Sequence, residues 1–261
     1  LRAISWGEAR EGEVGRPTLV VLSALKFLVI AIDTALIAPI AVLVALFDED
    51  ASYHVCRMWA LLNLWLYGVR VRERRLAALD PSHAYVFMSN HRSQFDILAV
   101  VAGLAEFQLR WVAKVELTRI PVFGWALRPT GHVIIDRSDR EQAVASLRAA
   151  RAKMDRGVSV VIFPEGTRST SDKVLLPFKK GGFMLALETG FPIVPICIRG
   201  SRKILPRGSW QPVPGVIEVV VGAPIPVADV PREELIERVR SFMLGQLDEG
   251  AAAEGSAAAA V

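Results

Sequence analysis

Cysteine is nearly absent from this chain. The two present, Cys56 and Cys197, lie in apolar stretches with neither C-x-x-C nor metal-ligand spacing. They read as small buried hydrophobes in a reducing compartment, not as a disulfide framework. Histidine is scarce as well, with 4 in 261 residues. No H-E-x-x-H and no Cys/His set occurs, which argues against a bound catalytic metal, and no cofactor is expected. The missing G-x-S-x-G removes the strained serine elbow of the α/β-hydrolases. A charge surplus is lacking too: 31 Lys and Arg against 27 Asp and Glu leave a net +4, too little to argue for nucleic acid. There is no internal repeat.

What the chain does have is apolar sequence, unevenly placed. Hydrophobic residues make up 52% and charged residues 22%, and the excess is concentrated before residue 70. Residues 1–16 are polar and of mixed charge, expected to be a poorly ordered tail. Residues 19–47 are almost wholly apolar, interrupted by Lys26 and Asp33, with Pro39 as a kink position. As a helix this run would extend roughly 43 Å, enough to cross a bilayer core of about 30 Å. Each charge would cost about 2.5–3.5 kcal/mol at the bilayer centre unless it snorkels or pairs. Lying two turns apart, the two share one helical face.

Asp48-Glu49-Asp50 breaks the pattern, and a second apolar run, Met58 to Val69, is too short to span. The candidates are a tilted span with an interfacial helix, or a helical hairpin sunk partway into one leaflet. In the hairpin, Arg16, Lys26 and the basic run Arg70–Arg75 would face the cytoplasm, and the acidic turn would lie deepest or on the far side. A pair of core helices in a soluble protein is the plain alternative. A signal peptide is not expected, because the run is too long and lacks a small-residue cleavage site.

From residue 84 onward strands and helices alternate. Strands are expected at Tyr85–Met88, His132–Ile135, Val158–Phe163, Ile193–Ile198 and Val216–Val221. Helices are expected at Ile97–Leu104, Asp139–Met154, Phe178–Thr189 (closed by Gly190) and Glu233–Leu247. Such alternation implies an α/β sheet with helices on both faces. The Ala/Gly-rich end, 248–261, has little to bury and is expected to be a loose tail.

Two polar stretches stand out: Asn90-His91-Arg92-Ser93-Gln94-Phe95-Asp96 and Phe163-Pro164-Glu165-Gly166-Thr167-Arg168-Ser169. On one helix the His91–Asp96 spacing is about 140° of rotation, so the pair cannot share a face. They meet only if His91 stays on the loop leaving the first strand and Asp96 sits in the first turn of the next helix. Ser93-x-x-Asp96 matches a capping box, which alone would explain Asp96. A carboxylate has two oxygens, however, and can cap a helix and orient an imidazole together. Neutral His91 is suited to act as a base near pH 7, with Arg92 beside it either assisting or on the surface. Arg168 can grip two phosphate oxygens at once. Gly166 lets the backbone approach, Thr167 and Ser169 add donors, and Glu165 would hold Arg168 or a substrate hydroxyl. The plain alternative is a salt-bridged turn at a strand end.

In order along the chain stand His91-x4-Asp96, Lys114-x-Glu116-Leu117 before Ile120-Pro121-x-Phe123-Gly124, Phe163–Ser169, and Pro192-Ile193-Val194-Pro195-Ile196. This series closely resembles the four motifs of the glycerolipid acyltransferase family, its lysophosphatidate (1-acyl-glycerol-3-phosphate) acyltransferase branch in particular. The resemblance covers about residues 84–200. It implies a catalytic domain with a mixed, mostly parallel sheet flanked by helices, preceded by a membrane-embedded helical pair. The implied organisation is a tail (1–16), membrane-associated helices (17–69), a catalytic domain (70–247) and the loose end (248–261).

The implied reaction moves a fatty acyl group from acyl-CoA or acyl-carrier protein, as substrate, to the free hydroxyl of lysophosphatidate, giving phosphatidate at the cytoplasmic face of the inner (plasma) membrane. His91 would be the general base, Asp96 its orienting partner, and Lys114 or backbone N–H groups near His91 the oxyanion donors. Arg168, with Glu165, Gly166, Thr167 and, in the family's manner, Arg137, would bind the acceptor phosphate. Pro192 and Pro195 would shape a wall of the acyl channel, and Lys179 and Lys180 would face a carrier's phosphates or plain solvent. Glycerol-3-phosphate or another lysolipid as acceptor, a lipid or thioester hydrolase, and a silent membrane-interface binder are the competing readings. Membrane lipid is an expected partner; nucleic acid is not.

Overall fold

The computed structural model describes residues 16–259, apart from 136–139, 172–174 and 210. Nearly all of the polar tail therefore lies outside the described residues. Seven strands form the central sheet: β1 (Val69–Arg75), β2 (Val86–Ser89), β3 (Leu109–Lys114), β4 (Val133–Ile135), β5 (Ser159–Ile162), β6 (Ile193–Arg199) and β7 (Gly215–Val221). Their order is β1-β7-β6-β2-β5-β3-β4, and only the β6–β7 pair is antiparallel. The expected mixed, mostly parallel sheet is what forms.

The central strands are buried on both faces, so they read as unbroken apolar runs instead of alternating ones. Phe87, Val161, Val194 and Ile196 point into one core, packed by α2 (Glu49–Leu66) and α3 (Phe95–Gly103). Val86, Met88, Val160 and Ile193 point into the other, with α5 (Arg140–Met154), α6 (Gly181–Thr189) and α8 (Arg232–Ala259). Two short helices, α4 (Phe123–Leu127) and α7 (Ser201–Ile204), complete the set with a 3₁₀ turn at Val115–Arg119.

Several expectations need correction. The basic run Arg70–Arg75 is strand β1, parallel to β7, with Val69 buried while Arg70, Arg72 and Arg74 face out. The segment from residue 248, expected as a loose tail, is helical as far as it is described, because α8 continues to Ala259. Alanine is the strongest helix former, and no proline interrupts the run.

The N-terminal helices, α1 (Arg16–Ala45) and α2, form an antiparallel hairpin. As their shared face predicted, both α1 charges turn toward α2. The Lys26 ammonium lies over the Tyr67 ring at 6.0 Å from its centroid. Asp33 accepts hydrogen bonds from Asn63 Nδ2 at 2.8 Å and Trp59 Nε1 at 3.4 Å. The acidic turn, by contrast, is neither deep nor distal. Asp48 caps α2 by accepting the N–H groups of Asp50 and Ala51, and the turn docks on the sheet and α5. There Arg110 of β3, whose side chain is 0% exposed, donates to Asp50 Oδ1 and to the Glu49 carbonyl, each at 3.0 Å, while Lys153 pairs with the Glu49 carboxylate. Carboxylates sunk in hydrocarbon would be costly. Here they neutralise a guanidinium that folding has buried.

Candidate functional site

Because β2 and β5 are adjacent and parallel, with Met88 beside Ile162, both polar stretches leave the same edge of the sheet. The carboxyl ends of parallel strands are where α/β folds place ligands. Asn90 ends β2 without ending its ladder. Its Nδ2 donates to the Ile198 carbonyl at 2.9 Å, and its Oδ1 accepts the Ile198 N–H at 2.7 Å. A side-chain amide thus substitutes for the next backbone pair, and His91 follows directly.

The second stretch grips the backbone of His91 on both sides. Glu165 Oε1 accepts the His91 N–H at 2.9 Å, and the Ser169 N–H donates to the His91 carbonyl at 2.7 Å. The Phe163 ring stacks on the imidazole, centroids 4.0 Å apart and 12° from parallel. The turn that allows this is closed by the Gly166 N–H on the Phe163 carbonyl, with Gly166 at φ +68°, where glycine is least strained.

Asp96 is buried at the start of α3. Its Oδ2 meets three donors: His91 Nδ1 at 2.8 Å, the Arg92 N–H at 2.6 Å and the Ser93 N–H at 2.8 Å. The hydrogen bond assigns the imidazole proton to Nδ1 and leaves the lone pair on Nε2. Half of the expected capping box is present in the Ser93 N–H to Asp96 bond. The other half is altered: Ser93 Oγ accepts from the Phe95 N–H and donates to the Leu205 carbonyl.

An apolar cavity of about 200 Å³ opens beside the imidazole. One wall is the hairpin, with Thr34, Ile37, Ala38 and Ala41 from α1 and Tyr53, Cys56, Trp59 and Ala60 from α2. The other includes Trp111 and Ala113 of β3, Leu117, and Phe123, Ala126 and Leu127 of α4. Its lining includes a second histidine, His132, whose Nδ1 accepts the Trp111 N–H at 3.2 Å. Burial, helped by Arg110 and Lys153, pushes the His132 pKa down to about 3, so this ring is neutral.

The remaining expected residues divide as follows. Glu165 is corrected: it is 1% exposed, and its second oxygen accepts the Leu176 N–H at 2.8 Å. It therefore straps the two loops together and does not hold Arg168, and burial raises its carboxyl pKa. Backbone oxyanion donors near His91 are also corrected, because the N–H groups of His91, Arg92 and Ser93 are already taken by Glu165 and Asp96. Lys114 is exposed at the end of β3 and is not among the residues lining the cavity, unlike its neighbour Ala113. Arg92 is buried.

Arg168 is partly exposed, one residue from the Ser169–His91 bond, and its carbonyl accepts from Arg207 Nη1 at 3.0 Å. Thr167 is exposed beside it. Arg137 lies outside the described residues. Lys179 and Lys180 are exposed, and the Lys179 N–H donates to the Pro164 carbonyl. Pro192 and Pro195 are not among the residues lining the cavity, and Pro195 sits within β6 beside Met88. Cys197 is buried, its thiol pushed up to about 12 by burial, whereas Cys56 lines the cavity.

Asn90, Phe163 and Arg110 were missed as positioning residues. A buried arginine in the run Leu109–Lys114 was the available signal, since its charge demands the carboxylates that interrupt the apolar hairpin.

Comparison with known proteins places these features in context. A family model described as Acyltransferase matches residues 69–199. The chain is 35% identical over 188 residues to the chloroplastic 1-acyl-sn-glycerol-3-phosphate acyltransferase BAT2 of Brassica napus, covering 70% of this chain and 53% of that protein. It is 34% identical over 196 residues to the human 1-acyl-sn-glycerol-3-phosphate acyltransferase alpha, covering 73% and 68%. Some relatives are longer: the chain spans 53% of the Brassica protein and 61% of a Chlamydomonas reinhardtii one. Among solved structures, the 1-acyl-sn-glycerophosphate (LPA) acyltransferase PlsC of Thermotoga maritima superposes with a TM-score of 0.73 at 26% identity, covering 89% of this chain and 96% of that one.

Proposed function

The chain belongs to the Acyltransferase family, and from that premise we propose that it transfers a fatty acyl group from a thioester donor, acyl-CoA or acyl-carrier protein, to lysophosphatidate, producing phosphatidate. One juxtaposition carries the reading: a carboxylate-held imidazole lining an apolar cavity, bonded through its own carbonyl to the loop that bears Arg168. Nε2 of His91 accepts the acceptor's hydroxyl proton as its oxygen attacks the thioester carbonyl. The tetrahedral intermediate then collapses, the carbon–sulfur bond breaks, and the departing thiolate takes the proton back from the imidazolium. Asp96 holds the tautomer and stabilises the transient positive charge, in base catalysis worth roughly 10²–10⁴-fold.

With the backbone donors around His91 occupied, Lys114, next to cavity-lining Ala113, is our candidate for the oxyanion. Arg168, Gly166 and Thr167 bind the acceptor phosphate, with Arg137 as a further ligand, and the cavity takes an acyl chain.

Residues 17–69 form the membrane-seated unit and 70–247 the catalytic one. The 21 residues Leu25–Ala45 are long and apolar enough to cross a membrane. We place them in one leaflet instead, because α1 packs against α2 and α4 and a crossing would drag the catalytic domain into hydrocarbon. The catalytic domain then faces the cytoplasm, where both donors are found.

The test is purified protein given acyl-CoA or acyl-carrier protein and a panel of lysolipids and glycerol-3-phosphate. Acyl transfer onto lysophosphatidate is expected. Free fatty acid as the main product would establish the hydrolase reading instead. His91→Ala should abolish transfer, and Arg168→Ala should raise KM for lysophosphatidate about 30-fold with a smaller effect on kcat.

A further inference from the structure

The 3₁₀ turn and α4 carry a second apolar surface that neither the catalytic machinery nor the hairpin core uses. Ile120 is 44% exposed and Trp125 66%, the latter among the most exposed large side chains of the catalytic domain. They are presented by a tight γ-turn in which the Phe123 N–H reaches the Pro121 carbonyl at 2.7 Å, with Val122 at φ 63° and ψ −65°. That conformation is rare and strained, most of all for a β-branched residue. Exposed cations flank the apolar tip: Lys114 and Arg119 before it and Arg128 after, against one exposed carboxylate, Glu116. A tryptophan and an isoleucine ringed by Lys and Arg is the composition of a membrane–water interface.

We propose that Ile120 and Trp125, with Arg119 and Arg128, form a second membrane contact carried by the catalytic domain, and that its partner is an anionic phospholipid surface. Continuity with α1 supports this partner over an acidic protein. The α1 helix packs directly on α4 and exposes Leu36, Ile40 and Leu43 along the same hairpin. On this proposal the two apolar surfaces meet the same plane. On the inner side of the same segment Leu117, Phe123 and Ala126 line the cavity, which sets that cavity at the level of the lipid tails. The proposal rests on the seating of α1 in one leaflet.

The experiment uses the full chain and anionic phosphatidylglycerol/phosphatidylcholine vesicles. Vesicle sedimentation of Ile120→Glu/Trp125→Glu should fall roughly tenfold or more, through lost apolar burial and repulsion from the anionic surface. Turnover of detergent-dispersed substrate should be kept. Trp125→Phe, which keeps the apolar bulk, reports independently: quenching of tryptophan fluorescence by brominated lipid should lose a component relative to wild type. Equal vesicle binding by the double variant, or quenching unchanged in Trp125→Phe, overturns the proposal while leaving the seating of α1 intact. Wild-type protein that fails to sediment with vesicles overturns both. Normal vesicle binding with a raised KM only for an acyl-carrier-protein donor reassigns the patch to an acidic protein.

Discussion

The cavity is lined by two imidazoles, and their partners make them opposites. The Nδ1 of His91 faces the carboxylate of Asp96, which leaves Nε2 with a lone pair and a stabilised conjugate acid. The Nδ1 of His132 accepts a backbone N–H from Trp111, which places the proton on Nε2 and provides no anion. Burial and two neighbouring cations then hold its pKa down near 3. The two rings share a cavity but not a chemistry. In the proposed reaction, what fits one ring and not the other to serve as base is the second group on the ring.

The contrast can be broken most severely at Asp96. Asp96→Asn keeps the shape but offers an amide where an anion stood, so the imidazole loses its preferred tautomer and its charge partner. Transfer should fall roughly 10³–10⁴-fold in kcat, measured with saturating acceptor.

A smaller loss is expected at the other carboxylate. Glu165→Gln keeps one acceptor oxygen and turns an NH₂ toward the second backbone donor, His91 or Leu176. One buried N–H left unpaired costs about 1–3 kcal/mol of stability, read by urea denaturation. The displaced imidazole should lower kcat by roughly 10–10²-fold. A loss as large as that of Asp96→Asn would mean that Glu165 takes part in the chemistry.

The mildest test concerns His132. A histidine whose pKa is lower in the folded than in the unfolded state is charged first on unfolding, so it stabilises fully above about 6.5 and loses that contribution as pH falls toward about 3. The slope should approach, as an upper limit, roughly 1.4 kcal/mol per pH unit in that window. In His132→Gln, which retains an acceptor for Trp111, the pH dependence of denaturation should flatten, with transfer activity close to wild type. A large loss of kcat in that variant would erase the distinction between the two rings.

Much of this was legible in the chain. His91 and Asp96 could be paired because loop-to-helix geometry is the only way that spacing brings them together, and the central strands could be found because they are apolar throughout. The edge strand β1 was hidden: its arginines suggested a basic run flanking the hairpin at the cytoplasmic face, although Val69-Arg70-Val71-Arg72 alternates with a strand's period. The true role of Glu165 was hidden for another reason. Its partners are backbone N–H groups of His91 and Leu176, and main-chain donors carry no mark in a sequence. The acidic turn was misplaced because its counter-charge, Arg110, is 60 residues beyond Asp50 and only the folded sheet brings them together.

Gly131 stands at that docking point with φ +81°, and a β-carbon there would lie 2.4 Å from the Glu49 carboxyl group and 2.9 Å from Arg110 Nε. Any side chain at 131 would carry the strain of that positive φ and would push into the Glu49 carboxylate, so glycine here keeps the ion pairs of Glu49 with Arg110 and Lys153, the clasp between hairpin and sheet, in place.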